Sequence, residues 1–137
     1  MKGRRIPGVA AALAVAASAA APAGSRVEGA APVLGRLEHG LWQLRPLDGR
    51  RSPQPSVCLG DPEKLAQLQH VHRNCSRRLV ASARDSVTLS YECPAIGSGH
   101  TVIRVETPRL ARIESQGLDN GVPFAFRAEA RRIGPCR

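Results

Sequence analysis

From Ser86 to Cys93 the chain alternates one for one: Val87, Leu89 and Tyr91 share one side, and Thr88, Ser90 and Glu92 share the other. A period of two predicts a strand with one buried and one wetted face. The same period carries Leu79 and Ala81 in the preceding strand, so the segment from Cys75 to Cys93 reads as a hairpin that reverses around Ala83 to Asp85. Facing residues in an antiparallel hairpin have a constant index sum. A three-residue loop centred on Arg84 sets Cys75 directly opposite Cys93, within reach of a cross-strand disulfide. Downstream, TVIRVET places Ile103 and Val105 on one face, Pro108 marks a turn, and ARIESQG returns with Ile113. Asn120-Gly121 has the chemistry of a tight reversal, because both residues accept positive backbone φ. The last strand sets Phe124, Phe126, Ala128 and Ala130 against Arg127, Glu129 and Arg131.

Upstream of Cys75 the pattern differs. Leu41 and Trp42 open a short strand, DGRRSPQP is a loop, and Ser56 to Leu59 is a second strand. Asp61 then suits a helix N-cap, Pro62 the first helical position and Glu63 the positive helix end. Leu65, Leu68 and His72 share one face of the predicted helix, with Val71 at its margin. The order is strand, strand, helix, then five strands. It predicts a mainly β domain: a curved or partly closed antiparallel sheet of about seven strands with one short helix on it.

The first residues change the address. MKGRRIPGVAAALAVAASAAAPAGS combines three positive charges, an apolar run from Val9 to Ala21 and small residues where a peptidase would cut. This is the pattern of a secretory signal peptide over residues 1–23, too short for the roughly 20 apolar residues of a membrane span. Residues 24–36 lack a period and read as a flexible leader, so a single domain is expected over 37–137. Removing residues 1–23 takes away three of the twenty basic residues and none of the eleven acids, which leaves a formal charge of +6. That balance suits anionic envelope polymers or lipids, reached through arginines such as Arg77, Arg78, Arg131 and Arg132. Nucleic acid is disfavoured, since Trp42, Tyr91, Phe124 and Phe126 are too few to interleave as a stacking platform.

Four cysteines in an exported chain imply two disulfides, and the count alone allows three pairings. The hairpin register selects Cys75 with Cys93, which leaves Cys58 with Cys136. A zinc site built from Cys58, His70, His72 and Cys75 is the competing reading. Two histidines two residues apart point to opposite sides of a helix, and the compartment oxidises the thiols, so no metal is expected. His70 is then a solvated residue and His72 a partly buried one.

No catalytic constellation stands out. Gly97-Ser98-Gly99 lacks the spacing of a nucleophile elbow and reads as a hairpin loop, although Ser98 and His100 form a conceivable dyad for a small hydrolase. Trp42, the one tryptophan, is a candidate ligand contact inside the curved sheet and otherwise a core residue. No cofactor is indicated.

The landmarks HGLWQLRP, VCLGDP, the central Cys75, YECP followed by a Gly-rich loop, and the closing ARRIGPC span residues 37 to 136. In that order they resemble a family of small exported bacterial proteins catalogued as a domain of unknown function, in which Pro-Gly-Leu-Trp is common where His39-Gly40-Leu41-Trp42 stands here. The resemblance implies an exported β-rich domain and no particular reaction. The expected function is therefore a periplasmic or secreted binding or structural module of the cell envelope, with a small ligand or an anionic envelope component as partner.

Overall fold

The computed structural model describes Gly3 and residues 32–137; the signal segment and residues 24–31 of the leader lie outside the described residues, Gly3 apart. Seven strands form one antiparallel sheet: β1 (Gly40–Pro46), β2 (Ser56–Leu59), β3 (Ser76–Ser82), β4 (Ser86–Cys93), β5 (Gly97–Thr107), β6 (Leu110–Asp119) and β7 (Val122–Gly134). Their order is β2-β1-β7-β6-β5-β4-β3, so β3 to β7 run as a meander and the sheet is open, with β2 and β3 at its edges. A 3₁₀ helix (Pro62–His70) leaves β2 at one edge and reaches β3 at the other. To do so it crosses the core face, packing on β4, β5 and β6. Trp42, Leu59, Leu65, Leu68, Ile103 and Ile113 have no exposed surface there.

The helix begins as its sequence dictates. Asp61 is extended and its carboxylate accepts from the Glu63 amide, with Pro62 next. It is not the α-helix of three turns that the apolar spacing predicts. Gln67 breaks the helical dihedrals at φ −118° and ψ 37°, because its buried amide donates to the His70 and Arg73 carbonyls and draws the following turn inward. That break exchanges the two histidines. His70 is buried and His72 exposed, the reverse of the expectation.

The β3–β4 hairpin keeps the predicted cysteine register for a different reason. The loop is one residue shorter than expected, with Ala83 N–H donating to the Ser86 carbonyl, and a bulge at Val80 restores the offset. Leu79 and Ala81 were expected on the core face, yet both are exposed, since β3 is an edge strand and only its first residues, through Arg77, reach the helix. Gly97-Ser98-Gly99, expected in a loop, starts β5. Asn120 and Gly121 make the predicted turn, with φ of 49° and 79°. At the other end of the domain, Val33 and Leu34, assigned to the leader, are buried around a 3₁₀ turn (Leu34–Arg36). The packed domain therefore starts before Leu37: two apolar side chains suffice to dock a segment that has no period.

Both disulfides are present, Cys75–Cys93 with Cα atoms 4.3 Å apart and Cys58–Cys136 with 5.5 Å.

Candidate binding cleft

The face of the sheet away from the core carries a cleft of about 990 Å³ over strands β3 to β7. Its floor is set by strand register. One cross-strand row runs Arg78, Ser90, His100, Gln116, Ala125, and the next but one runs Ser76, Glu92, Ser98, Leu118, Pro123. Between them lies a row whose side chains belong to the core side: Tyr91, Gly99, Gly117 and Phe124. The two glycines fix the shape. A Cβ on Gly117 would meet the Ser98 carbonyl oxygen, and one on Gly99 would meet the Tyr91 ring, so bare backbone lets β5 and β6 approach here as no other residue would. Arg50, from the loop between β1 and β2, closes one end by donating to the Ala125 carbonyl at 3.3 Å. A smaller hollow of about 500 Å³ shares Arg50, His100, Gln116 and Ala125 with the cleft.

Below the glycine row sits a polar cluster, buried at Tyr91 and His70 and half-exposed at Gln69 and Asp119. The Tyr91 hydroxyl lies 3.0 Å from His70 Nδ1. His70 Nε2 faces Asp119 Oδ1 at 3.4 Å, an electrostatic contact without hydrogen-bond geometry. A carboxylate offers only acceptors, so the imidazole proton belongs on Nε2 and Nδ1 accepts from the phenol. Gln69 donates to Asp119 Oδ2 at 2.9 Å. This bond holds the Asp119 carboxyl below the usual carboxylate range against the opposing effect of desolvation, with further help from His70 and Asn120. Burial, and then the Asp119 charge, push the Tyr91 hydroxyl well above the ordinary phenol value. With 3% of its surface exposed, Tyr91 is a support for the cleft floor and has no access to a substrate.

The other residues singled out in the sequence fall into place around this cleft or away from it. Ser98 and His100 both line it, two residues apart on β5, but no hydrogen bond joins them and no carboxylate orients His100 among the described residues. Trp42 is fully buried, and its indole N–H donates to the Glu38 carbonyl at 3.0 Å. It offers no surface to a ligand, because the core cluster encloses it completely. Cys58 and Cys75 are in separate disulfides, so neither supplies a thiolate.

Of the four arginines expected to face anionic partners, three are engaged within the fold. Arg77 donates to Asp61, Glu63 and Gln67; Arg131 pairs with Glu129; Arg132 donates to the His39 carbonyl and lies 3.5 Å from Glu38. Arg78 has no ion pair among the described residues and points to the cleft. Arg50 and Gln116 were missed by sequence reasoning. Alternation alone does not reach them: a register shift between Val105 and Thr107 changes the index sum of the β5–β6 hairpin, so counting back from the turn pairs His100 with Gly117 in place of Gln116, and Arg50 lies in a loop without a period.

Fold and site together define an open, disulfide-fastened antiparallel sheet with a polar cleft on its outer face. Searches of protein-family models, curated proteins and solved structures find no match to this chain.

Proposed function

We propose that the chain is an exported, periplasmic or secreted module that binds a ligand in this cleft and carries out no chemistry on it. The observation that carries the reading is the cleft itself, lined by hydrogen-bonding groups in register yet without a hydrogen-bonded nucleophile and base. Its volume suits a bound ligand. The N-terminal signal pattern supports export, as do two disulfides of a kind that persists in oxidising compartments. Among the described residues no helix is long and apolar enough to cross a membrane. The resemblance to small exported bacterial proteins of unknown function agrees with that address.

The test is retention of envelope components by the immobilised oxidised protein, compared with a Ser98→Tyr variant whose ring fills the cleft. Retention by the wild type and its loss in the variant is the expected result; equal retention by both would overturn the reading. The hydrolase alternative makes a different demand. It needs a turnover that disappears in the Ser98→Ala, His100→Ala double variant. Attachment through scattered arginines is weakened by the internal partners of Arg77, Arg131 and Arg132.

A further inference from the structure

Resting on that binding role, we infer that the ligand is an acidic oligosaccharide laid across the strands, from Arg78 to Arg50, in the row that contains His100 and Gln116. Three observations converge. The row begins at Arg78 on β3 and ends at Ala125 on β7, whose carbonyl holds the Arg50 guanidinium. Neighbouring strands are about 4.8 Å apart, so the row is about 19 Å long and His100 stands about 10 Å from its β3 end. The Arg78 and Arg50 guanidinium groups, at the two ends of this row, match a chain that carries acidic groups several saccharide units apart. They are too dispersed to converge on one compact anion.

The groups between them suit hydroxyls. Ser90 and Gln116 lie within the row, and Glu92 and Ser98 in the parallel row of the same cleft. Hydroxyls and an amide both donate and accept, and Glu92 accepts, which is the inventory needed for sugar hydroxyl groups. Guanidinium groups pair with carboxylates through strong charge-assisted bonds. Pro123 and Leu118, paired in the outer row, add apolar surface at the β7 end. A nucleic acid strand fits less well, because Tyr91, Phe124 and Phe126 belong to the core side of the sheet and Trp42 is buried, while successive bases need an aromatic platform.

The experiment is calorimetric titration of the oxidised full chain with a short oligogalacturonate, a neutral malto-oligosaccharide of the same length and an oligothymidylate. Saturable binding of the oligogalacturonate alone is expected, weakened roughly tenfold by Arg78→Gln and again by Arg50→Gln. It should also weaken with added salt, as exposed charges are screened. Folding of each variant is checked by both disulfides and the emission of buried Trp42. Equal binding of acidic and neutral sugars, binding indifferent to both arginine substitutions, or preference for the oligothymidylate would each overturn the inference. So would no binding at all. Failure here leaves the wider binding role to be judged by the Ser98→Tyr retention test, which makes no assumption about ligand chemistry.

Discussion

Gln67 has no exposed surface, yet its amide joins three parts of the chain: it donates to the His70 and Arg73 carbonyls and accepts from Arg77 at 2.7 Å. Gln67→Leu keeps the volume and strands those partners, so unfolding in urea should show a loss of about 2 to 4 kcal/mol. A change under about 0.5 kcal/mol would contradict that role. Tyr91 supplies a second residue-scale prediction, with a clean readout because the chain has a single tyrosine. The buried phenol is held neutral in the native state, while the unfolded chain ionises near its ordinary value of 10.0. Its contribution to stability is therefore complete below that pH and declines above it. Phenolate absorbance should rise only together with loss of the β signal in circular dichroism, and a rise in the intact fold would contradict the burial. At this scale the sequence is least legible. His70 and His72 exchange places because one buried side chain, Gln67, bends the helix, and a periodicity argument contains no such term.

Among the elements, the β3–β4 hairpin shows how a register can be read correctly through a wrong loop. A loop one residue short and one extra residue at Val80 cancel before the cysteines are reached. Deletion of Val80 should thus leave a regular ladder with Cys75 still opposite Cys93. Mass spectrometry without reduction should find that bridge intact; free thiols in the deletion variant would contradict the pairing. The close approach of β5 and β6 makes a sharper demand. Gly117→Ala drives a Cβ into the Ser98 carbonyl oxygen and should cost about 1 to 3 kcal/mol, with a change in the cleft floor. An unchanged urea midpoint would show that the strands have room to part. Strand faces were legible wherever a strand is covered on one side only, as in β4 and β7. They failed at β3, whose apolar residues face solvent because nothing lies beyond an edge.

For the molecule as a whole, the weak places of an open sheet are its two edges, and each disulfide fastens one. Cys58–Cys136 ties β2 to the segment after β7, across the intervening β1; Cys75–Cys93 ties the start of β3 to the end of β4. Their sequence separations of 18 and 78 residues correspond to about 3 and 4.5 kcal/mol in the chain-entropy account. Against a total of about 5 to 15 kcal/mol, loss of both would remove the native state. The architecture was legible from alternation, turn chemistry and cysteine count. The cleft was not, since it depends on how five strands align and where two glycines let them close. The most direct measurement is peptide mapping, without reduction, of protein purified from its native location. Two cross-linked pairs are predicted, Cys58 with Cys136 and Cys75 with Cys93; four free thiols, stoichiometric zinc, or Cys58 joined to Cys75 would contradict the account.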